Sequence, residues 1–172
     1  MNRTVLASAL ALASTASVFA AGNTAAATAN AKVKIRKAIT LTSTADLDFG
    51  GIIAAAGTGS DTATVSAAGA LTSTSAGGSI VGTFNTAAAA GFTVTGTKSA
   101  TYAITLPASA ITINGPSAST LSVGTFTGSK ATGTLSALAG TDTFTVGATL
   151  TVPNTAVDGD YTGTFSVTVA YN

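Results

Sequence analysis

The sequence predicts an all-β protein, a β-sandwich or barrel, on three observations. Short runs that alternate apolar with small polar residues recur at roughly ten-residue intervals, the spacing of a sandwich or barrel. Hydrophobic residues make up 46% of the chain, but much of that is alanine. The large core formers stand singly between Thr, Ser and Gly, which suits half-buried strands and not amphipathic helices. Glycine-bearing breaks separate the runs at Gly57-Thr58-Gly59, Ala76-Gly77-Gly78, Asn114-Gly115-Pro116 and Asp158-Gly159. Such breaks supply turns, and Pro107, Pro116 and Pro153 fall at run ends, where a missing amide costs least.

In chain order, residues 1–20 read as a secretory signal. Asn2-Arg3 gives a positive start, Val5 to Leu12 is an apolar run broken by Ser8, and Val18-Phe19-Ala20 sits where a signal peptidase reads. That run is too short for a spanning helix, which needs about 20 residues. No later segment is apolar and long enough to anchor the chain, so the expectation is export with no membrane-spanning segment.

Residues 21–37 form a basic N-terminal extension. Lys32, Lys34, Arg36 and Lys37 give it a formal charge of +4, whereas residues 38–172 carry Lys98 and Lys130 against six aspartates, or −4. Within it, Ala29, Ala31, Val33 and Ile35 share one face of an extended strand, and Asn30, Lys32 and Lys34 the other. Two readings fit. One is a solvated edge strand that its lysines protect from aggregation; the other is a donor strand that leaves its own subunit to complete a neighbour's sheet. Four cations without aromatic partners are a weak nucleic-acid signal.

Residues 38–172 form the sandwich domain. Its expected strands are Ala38–Ser43, Asp48–Ala54, Thr62–Ala67, Ser79–Phe84, Gly91–Gly96, Thr101–Leu106, Ala110–Asn114, Leu121–Phe126, Thr141–Val152 and Asp160–Tyr171. The final run alternates throughout, with Phe165, Val167, Val169 and Tyr171 on one face and Thr164, Ser166, Thr168 and Ala170 on the other. A last strand has no following hairpin to cover it, so one edge can stay open for another chain.

Catalysis finds little support. Without His or Cys there is no Ser-His-Asp or Cys-His arrangement and no usual nitrogen or sulfur ligand for zinc. The pairs Asp46/Asp48 and Asp158/Asp160 put two carboxylates on one face of a strand, a weak calcium pattern. They read more simply as turn aspartates bonded to local backbone. The expectation is a non-enzyme without cofactor. Absence of cysteine also means that no disulfide fastens an exported fold.

The ending resembles the C-terminal signature of chaperone–usher pilus subunits, with Gly159 at the fourteenth position from the end and Tyr171 as penultimate tyrosine. Leu47-Asp48-Phe49-Gly50-Gly51-Ile52, Gly91-Phe92-Thr93-Val94-Thr95-Gly96 and Val146-Gly147-Ala148-Thr149-Leu150-Thr151-Val152-Pro153 together resemble a family of small secreted bacterial domains of unknown function. The resemblance implies an immunoglobulin-like β-sandwich of pilin-type topology completed by a donor strand, Ala29, Ala31, Val33 and Ile35 being that strand. Gly159, Phe165, Val167, Val169 and Tyr171 would form the groove that receives it. It implies a structural subunit of an extracellular filament, exported through the periplasm and serving adhesion or biofilm. Partners would be identical subunits, a periplasmic chaperone and an outer-membrane usher. Many such subunits carry a disulfide near the first strand, and this chain cannot. The alternative is a monomeric secreted or surface-associated sandwich that binds glycan or another surface ligand, suggested by threonine pairs such as Thr93/Thr95 and Thr149/Thr151.

Overall fold

A computed structural model describes residues 22, 25–53, 59–74 and 86–172. The signal segment and the run at Ser79–Phe84 lie outside them. The chain divides into two units, residues 1–34 and 35–172. Of the first, residues 25–34 are exposed and carry neither strand nor helix.

The second unit is nearly all β, built from two antiparallel sheets. Its strands are β1 (Thr40–Ala45), β2 (Ser60–Val65), β3 (Leu71–Thr74), β4 (Ala90–Thr95), β5 (Thr101–Thr105), β6 (Ile111–Asn114), β7 (Thr120–Gly128), β8 (Thr132–Thr134), β9 (Thr141–Pro153) and β10 (Thr168–Tyr171). Among the described residues a single 3-10 turn spans Pro116–Ala118. The spine of the larger sheet is β9, which pairs β4 along its first half, β2 along its second, and β7 across its middle. β1 lies outside β4, β3 outside β2, and β6 outside β7. The smaller sheet runs β10-β5-β8.

Alternation decides what is buried. Along β9, Phe144, Val146, Ala148, Leu150 and Val152 are buried, while Thr143, Thr145, Thr149 and Thr151 are not. Threonines also line the opposite face in register: Thr40 beside Thr95 beside Thr141, and Thr74 beside Thr62 beside Thr151. The buried side chains form two clusters. Ala63, Leu121, Val123, Ala148, Leu150 and Val152 make one; Ala90, Val94, Tyr102, Leu135, Phe144 and Val146 make the other. Fully burying each large aliphatic member contributes roughly 1.5–3 kcal/mol. Gly147, between Val146 of one cluster and Ala148 of the other, has to be glycine because a Cβ there would strike the main chain at Val65 and Ser66.

Three strand expectations change. The described part of the expected Asp48–Ala54 run, residues 48–53, is no strand: Asp48 makes an isolated bridge with Ala88, then accepts from the Gly50 amide at 2.7 Å where Gly50 takes φ +71°. That side-chain-to-backbone bond builds a turn in place of a ladder. β3 and β8 were not expected, because Leu71 is their sole large apolar residue and alternation has nothing to register. The third change concerns the C-terminal strand and shapes the site.

Candidate functional site

The expected Asp160–Tyr171 strand is extended, but its ladder is broken. Thr168–Tyr171 pairs Thr105–Tyr102 antiparallel, and upstream only Thr162 bridges, to Asn114. From Thr162 to Thr168 is six steps, whereas from Asn114 back to Thr105 is nine, so the facing chain bulges out of register. Pro107 lies in that bulge, and proline has no amide to offer a ladder.

Side-chain alternation nevertheless persists along the whole segment. Phe165, Val167, Val169 and Tyr171 are half-buried and pack against the second core cluster; Thr164, Ser166, Thr168 and Ala170 are exposed. Phe165 is held edge-on to Phe92 at 6.2 Å and tilted against Phe126 at 5.1 Å. Phe92 in turn stacks on Phe144 at 5.2 Å. These contacts fix the strand by its side chains where its main chain pairs with no described residue.

The direction of the main-chain groups follows from the hydrogen bonds. Ile104 donates its amide to the Ala131 carbonyl, on the β8 side of β5. Successive residues of a strand point their amides to opposite sides, so Ala103 and Thr105 face β10. In return Thr168, Ala170 and Asn172 face β5, as the 3.2 Å bond from the Asn172 amide to the Thr101 carbonyl shows. Thr162, doubly bonded to Asn114, has the same parity. The amides and carbonyls of Phe165, Val167, Val169 and Tyr171 therefore point to the other edge. Among the described residues no strand lies there, since β10 ends its sheet. β1 likewise ends the larger sheet, with Ile39 and Leu41 packed on the same core cluster.

Gly159 sits at the start of this segment with φ +141°, and a Cβ on it would come within 2.7 Å of Pro116. Both facts require glycine. At the other end, the Tyr171 hydroxyl accepts from the Thr97 amide at 2.7 Å and donates to the Lys37 carbonyl at 2.7 Å. The Arg36 guanidinium lies 5.1 Å above the Tyr171 ring and donates to the Asn172 carbonyl at 3.2 Å. Sequence reasoning placed Tyr171 in the groove face and gave no hint of this reach.

The candidate donor residues have a different setting. Ala29, Ala31, Val33 and Ile35 are all exposed, Val33 at 84% and Ile35 at 85%. A Val or Ile exposed to this degree in an alternating run has apolar surface left to bury.

A polar network that sequence reasoning missed lies under β8. The Tyr102 hydroxyl donates to Asp142 Oδ2 at 2.9 Å, Lys130 Nζ donates to both carboxylate oxygens at 2.9 and 3.1 Å, and the Thr143 amide donates to Oδ1 at 2.8 Å. Tyr102 is fully buried. Burial, then its bond to Asp142, pushes the Tyr102 phenol well above its ordinary value. Burial alone would raise Asp142, but hydrogen bonds from Lys130, Tyr102 and Thr143 outweigh it and hold the carboxyl below its usual range. Gly133 passes directly over the pair, where any Cβ would strike the Tyr102 ring. Lys130, Asp142, Gly133, Thr101, Thr132, Thr134 and Asn172 line an open depression of about 540 Å³. The carboxylate's acceptors are engaged within the protein, so the network ties the two sheets together. Among the described residues no three His, Cys, Asp or Glu side chains converge on a metal position, and no helix is long and apolar enough to cross a membrane.

Fold and site define an antiparallel all-β domain whose last strand is anchored by its side chains and, among the described residues, open along its main chain. The chain belongs to the family described as a domain of unknown function (DUF4402), whose pattern matches residues 39–171. Neither a curated protein nor a solved structure matches it.

Proposed function

We propose that this chain is a structural subunit of an extracellular filament, exported from the cell and polymerised by donor-strand exchange. The observation that carries the reading is the open edge of the C-terminal strand. Its main-chain groups from Phe165 to Tyr171 alternate outward while its side chains stay packed on the core. Soluble proteins blunt such edges with lysine, proline or inward charge. Residues 161–172 contain none of these, which suits an edge meant to be filled.

The occupant is the N-terminal segment of another copy. Its Ala29, Ala31, Val33 and Ile35 supply the alternate apolar side chains that strand addition needs, with backbone bonds giving affinity and side chains giving register. Lys32 and Lys34 would remain in solvent, where screening limits each to tenths of a kcal/mol. Completed in this way, the domain would have a pilin-type, immunoglobulin-like topology. A periplasmic chaperone and an outer-membrane usher would be the partners that keep the edge covered in transit.

Negative-stain microscopy of the secreted protein, with Val33→Asp and Lys32→Ala variants, tests the reading. Long filaments are expected from the parent and from Lys32→Ala, and none from Val33→Asp. A monodisperse parent at high concentration, or equal filament yields from all three, would refute it.

A further inference from the structure

Arg36 and Lys37 lie at the end of the very edge proposed to accept a neighbour's strand. We propose that Tyr171 and Thr97 form an exit clamp on Lys37 that keeps the N-terminal segment off its own edge and leaves it free for another copy. This inference deepens the filament reading and rests on it for its purpose; the clamp itself rests on geometry alone.

Strand directions pose the problem. β4 runs up to Thr95, the chain arches through 96–100 to the other sheet, and β5 returns from Thr101. Thr40 pairs Thr95 and Tyr171 pairs Tyr102, so the start of β1 and the end of β10 meet at this arch. From there β1 leads away along β4, and the open edge leads away from Tyr171 back toward Gly163. To lie on its own edge, in the sheet of β10, the N-terminal segment would have to reverse direction before β1 begins in the other sheet. The turn would fall within Arg36-Lys37-Ala38-Ile39.

Two features oppose that turn. The four residues include no Gly, Asn, Asp or Pro, the residues that favour a sharp reversal of the chain. Both main-chain groups of Lys37 are also engaged: its amide donates to Thr97 Oγ1 at 2.6 Å and its carbonyl accepts from the Tyr171 hydroxyl at 2.7 Å. Tyr171 gains its place because Gly96 has no side chain; a Cβ there would overlap the Tyr171 hydroxyl. Arg36, spread over the Tyr171 ring and bonded to Asn172, holds the residue before the clamp. Self-completion would give an inert monomer, so a device against it has a direct use in a polymer built from one kind of subunit.

Trypsin reads the clamp, because Lys32, Lys34, Arg36 and Lys37 are four cleavage positions on either side of its boundary. The monomer fraction of the purified chain is digested briefly and its new N-termini are identified by mass spectrometry. The parent should be cut quickly after Lys32 and Lys34 and at least tenfold more slowly after Lys37. Tyr171→Phe, which keeps the ring and deletes the hydroxyl, and Thr97→Val, which deletes the acceptor, should each speed cutting after Lys37 roughly tenfold, the effect of one lost hydrogen bond. Thr97→Ser should restore the parent pattern. Should Tyr171→Phe fail to fold, the Thr97 pair decides alone. Equal cutting after Lys34 and Lys37 in the parent, or no change in the variants, would overturn the clamp. Resistance at Lys32 and Lys34 in the monomer would show the segment already on its own edge and overturn its role. Neither result depends on whether filaments form, so failure of the clamp and failure of the filament reading are told apart.

Discussion

Asp142→Ala removes the acceptor on which three donors converge, and the structure sets the size of the effect. Tyr102 has no exposed surface, so its hydroxyl, now without Asp142, is a buried donor left unsatisfied, at about 1–3 kcal/mol. Lys130 keeps a third of its side chain in water, with 32% exposed against 19% for Asp142, so the ion pair itself adds at most about 1 kcal/mol. The Thr143 amide is exposed and finds water. The total is about 1–4 kcal/mol, which for a domain of this size lowers Tm by roughly 4–15 °C. Tyr102→Phe deletes the donor and leaves Asp142 bonded to Lys130 and Thr143, so it should cost only about 1 kcal/mol. Combining the two should cost less than their sum, because no orphaned hydroxyl remains. The assay is urea unfolding at neutral pH followed by circular dichroism, as the chain has no tryptophan. An Asp142→Ala protein within about 0.5 kcal/mol of the parent would refute the view that this network fastens one sheet to the other.

Three further outcomes follow from the same structure. Since Asp142 is held below the ordinary carboxylate value of about 3.9 and Tyr102 above the ordinary phenol value of about 10, the network's stabilisation should be present between those values. It should fall as pH drops below about 4 and as pH rises past 10; urea midpoints against pH check this, and Tyr102→Phe should soften the alkaline fall. Gly147→Ala drives a Cβ into the main chain of β2 and should yield insoluble or proteolysed protein, seen in expression trials against a Gly124→Ala control, whose nearest clash is the Ala110 methyl at 3.0 Å. Leu135→Ala empties a site that is 1% exposed and should cost 2–5 kcal/mol, about the range for a buried leucine, in the same urea assay.

Much of the domain was legible because alternation survives wherever large side chains mark it. β2, β4, β5, β7 and β9 fall within a few residues of the runs that Val, Ile, Leu and Phe announced. Where threonine and alanine supply the alternation, the pattern has no contrast, and β3 and β8 were lost. The face of the last strand was also legible: Phe165, Val167, Val169 and Tyr171 do share one side. Its broken ladder was not, because that depends on the bulge around Pro107 between β5 and β6. The polar network escaped for a similar reason. Tyr102, Lys130 and Asp142 are 28 and 12 residues apart, and nothing local says that β5 and β9 bring them together. Tyr171 was noticed for its position near the end, while its bonds to Lys37 and Thr97 depend on a missing Cβ at Gly96.

The open edge itself can be probed without touching the core. Main-chain parity turns the Val167 amide away from β5 and the Thr168 amide toward it, where Thr168 pairs Thr105. Proline is tolerated on an edge strand where its missing N–H faces outward and is costly where it removes a ladder bond. Val167→Pro should therefore leave the monomer folded, at a cost of about 1–2 kcal/mol for the smaller apolar contact, while removing one donor from the open edge and setting a ring in the path of an incoming strand. Thr168→Pro, one residue later, should cost about 3 kcal/mol or more by breaking the pairing with β5. Thermal unfolding of the monomers gives the first comparison and sedimentation of assembled material the second. Val167→Pro should unfold near the parent temperature and fail to sediment; Thr168→Pro should be unstable before assembly is reached. If Val167→Pro assembles as well as the parent, strands are not being added at this edge, and the subunits must meet through another surface.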